Sequence, residues 1–250
     1  MAGGRKEPVG GGTVALVVGE GGSDDPKERI LSAAGREFAD RGYEAATIRD
    51  ICTAAEVNVA AVNYYFGDKR RLYVESVKHA HRQRSEQMPL PAWPPGTPAA
   101  RKLHDFVANM LARMLGFTEP PWEVRLLLRE ILHPTEACRE LVEDYIRPHY
   151  GQLVAILDEL AGGRLAAPEL RRVALGIIGH CFLYRAAGGV VGMLIPADEL
   201  ATLHALPGLA DHVTRQALAA LGVVAPLVPA HDLAVTAAAI RDSHEDDHHE

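Results

Sequence analysis

Asn58, Val59, Ala60, Ala61, Asn63, Tyr64 and Tyr65 fall within eight consecutive residues. Amides, phenols and small apolar groups at that density suit recognition by contact rather than bond making. An Asn amide pairs with adenine, and a Val or Ala side chain packs on a thymine methyl. Tyr hydroxyls reach phosphate oxygens. Thr47 stands upstream at a predicted helix start, where its hydroxyl and the free backbone N–H groups behind it can hold a phosphate. Lys69 opens a further helix and adds a point charge. None of the residues expected to face bases is basic, so the reading points to a core of A·T pairs. Phe66 is expected in the core, leaving Tyr64 and Tyr65 for the nucleic acid.

Patterns that would make or break bonds are missing. GxSxG, HExxH, GxxxxGK[ST] and a strand-borne GxGxxG do not occur. Cys52, Cys138 and Cys181 show no paired-thiol spacing. A helical enzyme built from scattered carboxylates would leave the 47–66 segment without a purpose, so the chain is read as not an enzyme, with no cofactor and no metal. His244 and His248 have the i, i+4 spacing of a nickel or zinc pair, but among acids at the chain's end they read as a solvated tail.

The elements needed to present these residues are helices. The 250 residues are 48% hydrophobic and only 6% aromatic, rich in Ala and Leu, which favours an all-α protein. Residues 1–23, with eight glycines in the first 22, read as a flexible leader. Asp24, Asp25 and Pro26 open a first helix carrying Ile30, Ala34 and Phe38 at four-residue spacing, stopped by Gly42. Thr47 and Asp50 form a capping-box-like start to a second, short helix. Asn58 caps a third through Phe66, and Asp68 a fourth, basic one reaching about Gln87. The 24–87 segment is thus read as a helix-turn-helix DNA-binding domain with a connecting helix, the motif lying at about 47–66. Five prolines make 88–98 a linker. Residues 99–222 follow as a helical domain, with helices at 98–115, 121–132, 134–160 (kinked near Pro148), 168–194 and 208–221. Residues 223–250 form a mobile tail.

Net charge is −7, and all of it lies beyond residue 86; residues 24–86 hold 11 bases and 11 acids. Asp68 to Arg84 carries a local +4, which would draw a polyanion. An acidic 99–222 domain disfavours a purely architectural DNA-binding protein, the alternative considered, which would be basic throughout. No stretch reaches ~18 uninterrupted apolar residues, so a cytoplasmic location without membrane contact is expected.

The run TIRDICTAAEVNVAAVNYYFGDKRRLY, preceded by ILSAAGREFADRGYEAA, resembles the DNA-binding domain of TetR-family transcriptional regulators over about residues 26–73. Arg129 and Glu130, HPTEA from His133 and GHCFLYR from Gly179 are similar to the CecR-like subgroup. Glu56 departs from the glycine usual at the turn, Asn63 from a common Tyr, and Val59 from a common Lys. The resemblance implies Thr47, Asn58, Tyr64 or Tyr65, and Lys69 on the sugar-phosphate chain. It also implies a homodimer on a palindromic double-stranded operator, most often as a repressor, controlled by a small-molecule effector bound among the C-terminal helices. From the residues, Phe106, Met110, Met114, Phe117, Trp122, Leu126, His180 and Tyr184 are candidates for an apolar effector cavity, with Arg125 or Arg129 for an acidic group. Leu175, Ile178, Phe182 and Arg185 form a stripe for a dimer interface, where Gly176 and Gly179 allow close approach.

Overall fold

Asp25 accepts a hydrogen bond from the Lys27 N–H at 2.9 Å, and Pro26 occupies the first helical turn. These two devices start α1, Pro26–Ala45. The computed structural model describes residues 25–117 and 119–223. The expected leader, and the tail with His244 and His248, lie outside the described residues. Short turns follow α1 to α2 (Ile48–Ala54), α3 (Val59–Phe66) and α4 (Lys69–Gln87), and the proline-rich segment leads to α5 (Ala99–Leu115). Then come α6 (Trp122–Leu132), α7 (Ala137–Leu141), a π-helical turn at Val142–Ile146 and α8 (Arg147–Ala161). The remainder is α9 (Ala167–Ala186), α10 (Gly188–Leu194), α11 (Ala197–Leu203) and α12 (Leu206–Ala220). The fold is all-α, with no strand among the described residues. No single helix among them is long and apolar enough to cross a membrane.

Two buried apolar cores organise these helices. One joins Ile30, Ala34 and Phe38 of α1 with Ile51 of α2, Val62 and Phe66 of α3 and Leu72 of α4. It does not end at the proline-rich segment, because Trp122, Leu126 and Leu127 of α6 and Leu141 of α7 belong to it. The second unites α5, α8, α9 and α12 around Phe106, Leu111, Leu157 and Val213. α6 therefore ties the chain beyond the proline-rich segment to the first core, and its other face lines the space between the two.

That tie depends on Gly35. Trp122 lies so close that a Cβ on Gly35 would sit 2.0 Å from its ring. The His79 ring of α4 lies nearly parallel to the indole, with centroids 6.1 Å apart, its Nδ1 3.2 Å from the Glu28 carboxylate and its Nε2 facing the Ser32 hydroxyl at 3.3 Å. A second tie is polar. Glu130, fully buried, accepts from the Tyr73 hydroxyl at 2.6 Å and from the Thr135 N–H and hydroxyl at 2.7 and 2.9 Å. Burial, followed by the Glu130 bond and charge, raises the Tyr73 phenol above its usual pKa and keeps it a donor.

Two expected helices are broken. The predicted 134–160 helix starts only at Ala137, and just before it the Thr135 N–H and hydroxyl are held by Glu130. Its irregularity falls before Pro148, as the π turn Val142–Ile146, because proline removes an N–H and crowds the turn behind it. The predicted 168–194 helix bends by 77° between α9 and α10. Ala187, Gly188 and Gly189 at that point have neither bulk to pack nor glycine-free helical propensity to hold a straight course.

Gly35→Ala should lower stability by about 1–3 kcal/mol through overpacking against Trp122, read as a lower urea midpoint at an unchanged slope. Glu56 is the one described non-glycine residue with positive φ, at 54°. Glu56→Gly should therefore raise stability, by up to about 1 kcal/mol, read as a higher midpoint.

Candidate nucleic-acid interface and internal cavity

α2 and α3 are set by their caps. Thr47 accepts from the Asp50 N–H at 3.1 Å and returns its hydroxyl proton to the Asp50 carboxylate at 2.9 Å. Asn58 Oδ1 accepts from the Ala61 N–H at 2.9 Å, which leaves the Asn58 amide hydrogens available. Val62 and Phe66, four apart, bury one stripe of α3. The other face is bare: Val59 is 47%, Tyr64 83% and Tyr65 39% exposed, with Ala60 and Asn63 also exposed. The Tyr64 and Tyr65 rings meet edge to face at 5.1 Å. Ala61 differs from its neighbours in the expected set, because it is half-buried and packs against the core. Lys69 donates to the Glu44 carbonyl at 3.2 Å and lies over the Tyr43 ring at 4.8 Å, which holds the start of α4 against the end of α1.

The positive charge of α4 is not presented as one face. Arg70 pairs with Glu136, Lys78 with Glu75 and Glu140, and Arg84 is buried. The acids of α7 neutralise that side. Arg49, next to Thr47 in the first turn of α2, is exposed and has no carboxylate partner among the described residues. Sequence reasoning passed over it, although a cation two residues from a helix cap was visible there.

A cavity of about 350 Å³ lies at the seam of the two cores. Its wall takes Phe106, Asn109, Met110, Arg113 and Met114 from α5, and Val124, Leu127, Leu128 and Ile131 from α6. Tyr145 and Ile146 of the π turn, His149, Tyr150 and Leu153 of α8, and Leu175, Ile178, Phe182 and Arg185 of α9 close it, with Arg84 and Leu90. Of the residues proposed for an effector, Phe106, Met110 and Met114 are brought together there. Phe117 instead lies under the Arg84 guanidinium at 4.8 Å. Trp122 and Leu126 face the α1–α4 core, Arg125 donates to Asp40 at 2.5 Å, and Arg129 lies against Gly42. These four occupy the opposite side of α6, whose two apolar faces periodicity alone does not distinguish. His180 and Tyr184 stack on each other at 6.2 Å and face His212 and His204.

The stripe proposed for a dimer also divides. Ile178, Phe182 and Arg185 line the cavity, while Leu175, at its rim, is 60% exposed. The outward stripe of α9 is Leu175, Gly176, Gly179 and Leu183. Leu183 was not singled out, although its four-residue spacing from Gly179 marks it.

The cavity and α4 share polar contacts. Arg113 donates to the Tyr145 hydroxyl at 2.6 Å, to His149 Nε2 at 3.1 Å and to the carbonyl of Met88, the cap residue of α4. His149 Nδ1 donates to the Tyr145 carbonyl at 2.6 Å, leaving Nε2 as acceptor on a neutral ring. Burial, then the Arg113 charge, lowers the His149 pKa. His81 of α4 packs on Tyr145 at 4.0 Å, and burial, with His149 and Arg113 next, pushes it down to about 4.

The geometry has counterparts in known proteins. Residues 30–75 match the family model of bacterial regulatory proteins of the tetR family. Residues 99–221 match that of the C-terminal domain of the HTH-type transcriptional dual regulator CecR. The CecR regulator of Shigella flexneri is 27% identical over 150 residues, covering 56% of this chain and 66% of that protein. The HTH-type transcriptional repressor NicS of Pseudomonas putida is 32% identical over 59 residues, covering 24% of this chain and 28% of that protein. The chain thus spans just under two thirds of the one relative and about a quarter of the other. Among solved structures, a transcriptional regulator from Rhodococcus sp. Rha1 superposes with a TM-score of 0.58 at 17% identity, covering 81% of this chain and 99% of that one. AibR, in complex with isovaleryl coenzyme A and operator DNA, gives 0.51 at 18% identity, covering 68% and 97%. At these identities the likeness is one of fold.

A histidine whose folded pKa is depressed leaves stability complete above its unfolded value near ~6.5 and erodes it as the pH falls toward the folded value. Stability should therefore drop between pH 6.5 and about 4 as His81 resists protonation. Urea titrations at pH 7 and 5 should show a smaller loss for His81→Gln than for the parent protein; equal losses would refute the assignment.

Proposed function

Since the chain belongs to the TetR family of transcriptional regulators, with a C-terminal domain of the CecR type, we propose that it is a ligand-responsive repressor that binds a palindromic operator as a homodimer. The observation that carries this is α3: capped by Asn58, anchored by Val62 and Phe66, and bare on the side of Val59, Ala60, Asn63 and Tyr64. Such a helix fits the major groove with its N-terminal half against base edges. Thr47, Asn58, Tyr65 and Lys69 serve the sugar-phosphate chain in this reading, and Arg49 joins them. Asn63 reads adenine, and Val59 and Ala60 pack on thymine methyls. Ala61 contributes by setting the helix on its core.

Few phosphate contacts per subunit give weak binding, and a two-fold pair doubles them. The outward stripe of α9, together with the exposed face of α12 at Gly208, His212 and Gln216, is suited to a second copy. The cavity favours a ligand-controlled regulator over an architectural DNA-binding protein. It reaches α4 through Arg84 and through the Arg113 bond to Met88, and α4 packs against α3. AibR's complex with an acyl-coenzyme A and operator DNA is a precedent for one chain of this fold engaging both.

Footprinting and fluorescence anisotropy on the DNA upstream of the gene test the reading. Lys69→Ala should weaken binding to all sequences and lower the log–log salt slope by about one. Asn63→Ala should relax discrimination at one base pair per half-site, where a mismatch otherwise costs about 1–3 kcal/mol. Parent-like behaviour of both would put the recognition surface elsewhere.

A further inference from the structure

Among the described residues, the cavity wall contains three arginines and no Asp or Glu. Arg84 has compensation nearby: it lies in the field of Glu123, which is also buried and has one carboxylate oxygen without a hydrogen-bond partner. Arg113 has none of that kind. Its hydrogen bonds go to a phenol, a neutral imidazole and a backbone carbonyl, and its Nε is buried without a partner. Arg185, in the last turn of α9, makes no ion pair among the described residues, and its Nε is also buried and unpartnered. Both side chains are half-buried, and a guanidinium drawn even partly out of water without a counter-charge is costly, so the folded chain holds two cations that an incoming anion would relieve. The Tyr145 hydroxyl accepts from Arg113 and keeps its own proton to donate.

The rest of the wall is of a different kind. Met110, Leu127, Leu153 and Ile178 are aliphatic, and the volume of about 350 Å³ is at the low end of the ~300–1,000 Å³ usual for ligand sites. That space suits a short apolar body with one small head rather than a nucleotide thioester. Ile131 of α6 and Leu175 of α9, 40% and 60% exposed, mark the mouth.

We propose that this cavity binds a compact, mainly apolar carboxylate, its head met by Arg113 and Arg185 and its body lying among the α5, α6 and α9 side chains. The proposal rests on the reading of the cavity as the effector site. A carboxylate matches the planar fork of a guanidinium better than any neutral head of equal size.

Three probes with one tail separate the possibilities: octanoate, octanol and octylammonium, titrated calorimetrically into the full-length protein, with operator affinity followed by anisotropy. Octanoate should bind at least tenfold tighter than octanol, and octylammonium most weakly. In Arg185→Met the octanoate-to-octanol affinity ratio should fall at least threefold, and in the Arg113→Met, Arg185→Met double variant it should approach one. Using the ratio keeps the test valid if Arg113→Met also loosens the end of α4. Octanol or octylammonium binding as tightly as octanoate overturns the proposal and leaves the effector reading standing. So does failure of all three probes to bind. Octanoate binding with the expected preference but no change in operator affinity upholds the anion site and overturns the effector reading instead.

Discussion

Trp122 fills the space that Gly35 leaves on α1, and through that contact the helices that present α3 become part of one core with α6. The indole lies against α1 on one side and the His79 ring of α4 on another, so three helices converge on a single side chain. Close-packed interiors transmit displacement because no slack exists to absorb it. Glu130 reinforces the arrangement from the far end of α6, tying Tyr73 of α4 to the turn before α7. A buried carboxylate with three donors is rigid as long as all three are kept, and losing any one leaves charge uncompensated. The proline-rich 88–98 segment thus separates two stretches of sequence without separating two cores.

What the sequence disclosed depended on whether a local rule sufficed. The α1 to α4 boundaries were readable because they are set by caps and stops within a few residues: Asp25, Thr47, Asn58 and Asp68 all act as N-caps. Glu56 was recognisable as an unusual residue for its turn, and its positive φ is the physical content of that departure. The C-terminal half obeys longer-range terms. α6 and α9 are each apolar on two sides, and which side meets α1, the cavity or solvent is decided by partners far away in the chain. Trp122, Leu126, Ile178 and Phe182 were apolar residues correctly placed on helices, yet periodicity does not reveal which neighbour an apolar face meets. Glu130 was noticed as part of a family-like string, but its burial depends on Tyr73, 57 residues earlier.

The electrostatics follow a similar logic. Local counting gave Asp68 to Arg84 an excess of four positive charges, but α7 brings Glu136 and Glu140 against Arg70 and Lys78. Exposed pairs of this type contribute little to stability; their larger effect is to withdraw charge from the surface that a polyanion would meet. With no basic side chain on α3, steering toward a phosphate backbone is left to a few flanking cations. In the proposed reading, specificity then rests on Asn63 and on methyl contacts, which discriminate by fit rather than by field.

Arg113 links the two functional regions by geometry. Its guanidinium lines the cavity and also donates to the carbonyl that ends α4. A ligand can shift a conformational equilibrium only by as much as it prefers one state over the other. A molecule that filled the cavity without touching Arg113 or Arg84 would have small leverage on α4, however tightly it bound. One whose head competes for Arg113 acts directly on the residue that holds the helix end. His81 and His149 each meet the Tyr145 ring edge to face and burial keeps both neutral, so they add no charge to compete with that guanidinium. In the proposed reading, leverage on α4 is therefore confined to Arg113 and Arg84, the two cavity cations that touch that helix or its end.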